Sequence, residues 1–187
     1  MKQKKINASL GLLSIVFMLL HIGYTVFSYL TYYYNPVLKM VFAIPFMVLV
    51  CLHAVCGMLT VFTQADGTRM DLYPKLNLKT ILQRASAALI FPLLILHINT
   101  FSLLQACAER GLTFFIVLLF VSEMIFFATV LTHVSISLTK GLVTLGILTS
   151  VEIQKKLDRI IYIVSAIIYV VAVYSVLNTQ IVMFVNG

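Results

Sequence analysis

Charge is what this chain has least of. Of its 187 residues only 10% are charged and six are acidic, against 61% apolar, and mean hydropathy is +1.07. A water-facing globule carries about 25% charged residues, so a soluble domain is excluded. Tryptophan is absent. The three cysteines, Cys51, Cys56 and Cys107, show neither metal spacing nor a C-x-x-C-H haem attachment. Each sits in or beside an apolar run and reads as a buried thiol. Internal repeats, low-complexity tracts and long linkers are missing too. A bilayer core about 30 Å thick takes about 20 apolar residues per helix, so the chain holds five spans and leaves no room for a soluble catalytic domain. Chemistry must then occur inside the membrane or on a partner chain.

What is present is an all-α pattern: apolar stretches near 8–34, 36–63, 79–107, 112–139 and 157–185, forming one integral membrane bundle. The N-terminal Met1-Lys-Gln-Lys-Lys precedes an apolar run too long for a signal sequence and without a small-residue cleavage site, so it opens the first span. Gln64 to Asn77, with Asp66-Gly67 and Pro74, is the main loop. The fairly apolar segment from Lys140 to Glu152 extends the fourth helix beyond the membrane surface. With the N-terminus in the cytoplasm, Lys2, Lys4, Lys5, Arg69, Lys75, Lys79, Arg84, Lys140, Lys155, Lys156 and Arg159 lie inside, and only Lys39 and Arg110 lie outside. This bias orients the chain N-terminus in, C-terminus out. It also accounts for the net charge of +7 without a nucleic-acid partner. Tyr29, Tyr32, Tyr33 and Tyr34 mark the outer interface, and Asn35-Pro36 makes a tight turn into the second helix.

Four histidines, His21, His53, His97 and His133, fall one in each of the first four spans. The competing explanation for any single one is a core histidine bonded to a nearby carbonyl; four together ask for more. At about 1.5 Å per residue from the cytoplasmic ends, His21 and His97 lie roughly 20 and 27 Å deep, and His53 and His133 roughly 15 and 10 Å. They sort into an outer and an inner pair whose average depths differ by about 10 Å. In an up-down-up-down bundle each pair sits on a diagonal and can face its partner across the core. Opposed neutral imidazoles at one depth are the axial ligands of a b-type haem held without a covalent link, so two pairs suggest two haems. Zinc would want three or four converging ligands. A proton relay would not explain the pairing by depth. Gly57, four residues after His53, and Gly141, eight after His133, would let a macrocycle or another helix approach.

These residues resemble the diheme cytochrome b membrane anchor of succinate dehydrogenase and fumarate reductase. Leu82-Gln-Arg-Ala-Ser-Ala-Ala followed by Leu96-His97-Ile98 is similar to that family's Q-R-x-S/T-G run leading to a haem histidine. Ile44-Pro45-Phe46 with His53-Ala-Val-Cys-Gly57 resembles its P…H-A-x-x-G motif, Ser9-Leu10-Gly11 before His21 its first-helix pattern, and His133 with Gly141-Leu-Val-Thr-Leu-Gly146 its H…G…T-L-G stretch. The chain departs from the pattern in its short first loop, in Ala87 where the glycine is expected, and in lacking tryptophan. The resemblance implies that His21 and His97 hold a distal haem and His53 and His133 a haem proximal to the cytoplasmic subunits. It further implies docking of an iron–sulfur protein and a flavoprotein on the cytoplasmic face and exchange of electrons with a membrane quinone, usually menaquinone, in a bacterial cytoplasmic membrane.

Glu123, the one acidic residue well inside a span, lies about 15 Å further out than His133, near the outer haem. It is a candidate proton acceptor or hydrogen-bond partner for a quinol there; a protonated carboxyl bonded to a neighbouring helix competes with that. Arg84, with Ser86 beside it, and Lys140 are candidates for haem propionates, against snorkelling to lipid headgroups. The expected function is electron transfer between quinone and a cytoplasmic dehydrogenase or reductase. A diheme conduit for another oxidoreductase and a haem-free transporter or scaffold are the alternatives.

Overall fold

The computed structural model describes residues 2–63 and 74–185, and side chains within them except at 62–63 and 74–77. Five helices follow one another: α1 (Lys2–Thr31), α2 (Pro36–Thr63), α3 (Pro74–Glu109), α4 (Thr113–Leu145) and α5 (Val151–Phe184). All five are long and apolar enough to cross a membrane. With no water in a bilayer core to bond a bare peptide group, helices that satisfy their backbone internally are the natural outcome of such runs. Hydroxyls follow the same logic. Thr25, Thr60, Ser135 and Ser175 each donate to the carbonyl four residues back, at 2.6–2.8 Å.

The helices match the expected spans in number and order and differ at their ends. α1 stops at Thr31, because Tyr32 takes a left-handed φ of 55° and turns the chain. Asn35 then closes the turn. Its Oδ1 accepts from the backbone N–H of Val37 and Leu38, capping α2, and its own backbone exchanges two hydrogen bonds with the Tyr24 hydroxyl. α3 begins at Pro74, earlier than the expected Lys79, with proline at a first helical position that requires no N–H. The predicted loop from Gln64, with Asp66-Gly67 and Arg69, otherwise lies outside the described residues, as does the Lys75 side chain. α4 does run on, as expected of the segment after Lys140, but only to Leu145. There Gly146, at φ 78°, provides the left-handed cap. α5 starts at Val151, behind the Ser150 cap, and not at Leu157.

α4 is the centre of the bundle. It packs against α1, α3 and α5, while α1 also packs against α2 and α5. Outside the trio of α1, α4 and α5, α2 packs on α1 and α3 on α4. α2 leans chiefly on α1, and none of its described side chains is fully buried. The thiol expectation is accordingly corrected for Cys51, which is exposed on α2, and softened for Cys56 and Cys107, which are half-buried. In a spanning helix the apolar outer face meets lipid, so burial by protein is not needed. The buried stripe of α4, from Ile116 through Glu123 and Phe126 to Thr139, instead faces its three neighbours. Towards one end of the bundle, Leu104, Ile116 and Leu119 form a buried apolar cluster, covered by Leu96, Cys107 and Phe184.

Candidate functional site

Two levels of polar side chains cross the bundle. At the first, His53 of α2 and His133 of α4 face each other with ring centroids 6.4 Å apart and planes at 67°. These helices make little or no close backbone contact, so the two imidazoles bridge a gap between them. Each ring is held from behind. His53 Nδ1 lies 3.0 Å from the carbonyl of Asn7 on α1. His133 Nδ1 lies 3.1 Å from the carbonyl of Gln83 on α3 and 3.2 Å from Ser86 Oγ. A carbonyl can only accept, so each Nδ1 carries the proton and each Nε2 is left as the unprotonated nitrogen.

This spacing can be tested against the haem expectation. With a metal–imidazole bond of about 2 Å and about 1 Å more from nitrogen to ring centre, two trans imidazoles stand with centroids roughly 6 Å apart. The observed centroid distance of 6.4 Å is close to that spacing. Ligating histidines characteristically donate their second N–H to a carbonyl or carboxylate, as both rings do here. The donor set therefore fits a bis-imidazole iron.

The surroundings of this level come from all four helices. A Cβ built on Gly11 of α1 would stand 2.9 Å from His53 Cε1, so this position has no room for a side chain. Gly57 and Gly141, singled out by spacing, meet Asn7 and Leu12 of α1 at ordinary contact distances of 3.8 and 3.6 Å. Both serve helix packing against α1. Ser86 is buried and sits behind His133, donating to the Gln83 carbonyl. Lys140 Nζ donates to Gln83 Oε1 at 2.9 Å and Thr80 Oγ1 at 3.2 Å, while Gln83 Nε2 donates to Ser137. Gln83 thus ties the amine to the backbone that holds His133. Arg84, one residue on, is half-buried. Nearby, Asp158 of α5 accepts from Thr139 at 2.7 Å and pairs with Lys79 at 3.4 Å.

The second level lies seven residues, or about 10 Å, along α2 and α4. His21 of α1 stacks on Phe46 of α2 at 5.9 Å, and its Nδ1 is buried without a partner. His97 of α3 stacks on Phe126 of α4, with centroids 4.5 Å apart and planes at 23°. Its Nδ1 lies 2.8 Å from Glu123 Oε2, and the Thr100 hydroxyl donates to Glu123 Oε1 at 2.7 Å. Glu123 and Thr100 are each 2% exposed, whereas the His97 side chain is 28% exposed, so the acid is enclosed between α3 and α4 and the imidazole is half-buried. His53 and His133 thus share one level, and His21 and His97 each stack on a phenylalanine seven residues before one of them.

Several contributors have no advance signal. Asn7 and Gln83 act on the histidines through backbone carbonyls, which any residue type supplies. Phe126 is one of many phenylalanines. Thr100 alone was open to detection, being one helical turn after His97 and therefore on its face. Among the described residues no group of three or more His, Cys, Asp or Glu side chains comes together as a metal site. Comparison with family models, with curated proteins and with solved structures finds no match for the chain.

Proposed function

We propose that this protein is a diheme cytochrome b that spans a bacterial cytoplasmic membrane five times, N-terminus inside. In this reading it anchors a flavoprotein and an iron–sulfur subunit of the succinate dehydrogenase or fumarate reductase type and exchanges their electrons with a membrane quinone, menaquinone in the first instance. The observation that supports it most is the His53–His133 pair, with opposed rings at 6.4 Å and both Nδ1 atoms engaged by carbonyls. His21 and His97 are the ligands of the second, outer haem. The buried Nδ1 of His21 has no hydrogen-bond partner.

When bound, haem supplies one-electron chemistry at its iron; the chain's own residues do the rest. The carbonyls of Asn7 and Gln83 fix the tautomers of the inner pair and keep both Nε2 atoms as donors. Gly11 keeps the face of His53 clear. Lys140 and Arg84 are candidates for the propionates of the inner haem. Lys140 would reach them from the network it already shares with Gln83 and Thr80. Glu123 is the candidate to accept a proton from quinol at the outer level, where it is the buried acid nearest the outer histidines.

The test is reduction of the purified protein by a menaquinol analogue, read in the b-type haem bands. Reduction by quinol at a rate that turnover requires is expected. Bands that dithionite reduces and quinol does not would contradict the link to quinone. A diheme conduit for another oxidoreductase shares every residue named above and differs in its partner, so co-purification of a flavin-bearing chain separates the two.

A further inference from the structure

α3 and α5 barely approach each other, and between them runs a cleft of about 510 Å³ whose floor is α4. Lys79 of α3 stands at one end, paired with Asp158 of α5, and the α5 wall runs from Tyr162 to Tyr169. Small side chains make the room: Ala128 on the floor and Ala166 on the wall are both exposed. Ser135 and Ser165 bond each other at 2.9 Å, and Ser135 donates to the Leu131 carbonyl at 2.6 Å, so these two hydroxyls need nothing from an occupant. The lining is mostly carbon. From Arg159 to Tyr169 the helix rises about 15 Å, half of a hydrocarbon core about 30 Å thick. The cleft is therefore about as long as one leaflet is deep.

The end at Lys79 is basic. An ammonium has three N–H donors, and Lys79, 45% exposed, gives one to Asp158 at 3.4 Å. Asp158 is also held by Thr139 at 2.7 Å. Lys155 lies seven residues before Tyr162 and Arg159 seven before Ala166, so both stand on the face of α5 that lines the cleft, and both are exposed. Three cations against one acid leave the mouth positive. Glu152, the other acid on α5, lies a further seven residues, or about 10 Å, before Arg159.

Basic residues at the surface end of a groove between spanning helices recognise anionic headgroups, and an apolar channel one leaflet long fits an acyl chain. An uncharged quinone would have no use for the cations. We infer that the cleft between α3, α4 and α5 binds an anionic phospholipid, with its phosphate at Lys79, Lys155 and Arg159 and an acyl chain laid along α4 towards Tyr169. This needs only the five spanning helices and neither haem, so it is independent of the function proposed above.

The experiment is native mass spectrometry of the purified full chain in detergent, with phosphatidylglycerol or phosphatidylcholine of the same acyl chains added. Wild-type protein should retain phosphatidylglycerol more strongly than phosphatidylcholine by roughly tenfold. Lys155→Gln/Arg159→Gln removes two cations from the mouth. Ala166→Leu fills the channel and leaves the cations in place. Each should lower phosphatidylglycerol retention by roughly tenfold, and all three replaced side chains are exposed, where substitution disturbs a fold least. Equal retention of the two lipids by wild-type protein overturns the proposal. So does retention by either variant within about threefold of wild type; an unaffected Ala166→Leu beside a weakened charge variant would put the lipid on the open basic surface and not in the cleft. Displacement of phosphatidylglycerol by an equal concentration of menaquinone-4 would assign the cleft to a quinone and overturns it too.

Discussion

His53 and His133, from helices that barely touch, bring their imidazoles to a centroid distance of 6.4 Å, and each anchors its Nδ1 to a carbonyl of a third or fourth helix. All four helices thus hold one pair of rings. A histidine kept only to satisfy a local carbonyl would not need an opposed partner at this spacing. The pair is therefore where the cofactor reading is most exposed to experiment.

Replacing one histidine should empty one level only. His53→Ala and His133→Ala should each halve the haem content and leave the same spectrum behind. His21→Ala and His97→Ala should leave the complementary one. Spectra of the four purified variants check this, and four different residual spectra would break the pairing.

Gly11 and Gly57 should respond differently to the same methyl group. At Gly11 a Cβ meets the His53 ring at 2.9 Å, whereas at Gly57 it meets the Asn7 side chain at 3.8 Å. Gly11→Ala should displace His53, lower or distort the inner haem signal and cost about 1–3 kcal/mol of stability through overpacking. Gly57→Ala should leave the haem unchanged. Haem content and thermal melting in detergent read both effects.

Gln83 has two roles that mutation can separate. Gln83→Leu removes the side-chain acceptor of Lys140 and the donor to Ser137 but keeps the backbone carbonyl that holds His133. A loss of about 1–3 kcal/mol is expected from the unmade polar contacts, with haem content intact. Thermal melting and haem content on the same sample test the separation.

The positive-inside orientation predicts sidedness. In a background with Cys51, Cys56 and Cys107 replaced by Ala, Arg69→Cys should react with a membrane-impermeant thiol reagent only in inverted vesicles, and Arg110→Cys only in intact cells. The opposite pattern would invert the topology and place the partner subunits on the wrong face.

The helices were legible in the sequence because lipid imposes one solution on a 20-residue apolar run, and the depth sorting followed from counting along them. Helix ends were less so. α3 starts at Pro74 because proline suits a first helical turn, and α1 stops at Thr31 because Tyr32 turns left-handed; neither is written in hydropathy. Packing was the least legible. Besides the expected packing of α1 on α2 and α4 and of α3 on α4, α5 packs against α1 and α4 as part of the core. Glu123 stood out as the lone intramembrane acid, but its partners could not be read. They sit on another helix, and their distances from it in sequence carry no period.

In the proposed reading four histidines hold two haems. The haem-to-chain ratio of purified wild-type protein, from haem extraction against quantitative amino-acid analysis, tests it most directly. Two b-type haems per chain are expected. A ratio of one would break the pairing of histidines by level, and a ratio of zero would contradict the cytochrome reading and return the chain to the haem-free transporter or scaffold.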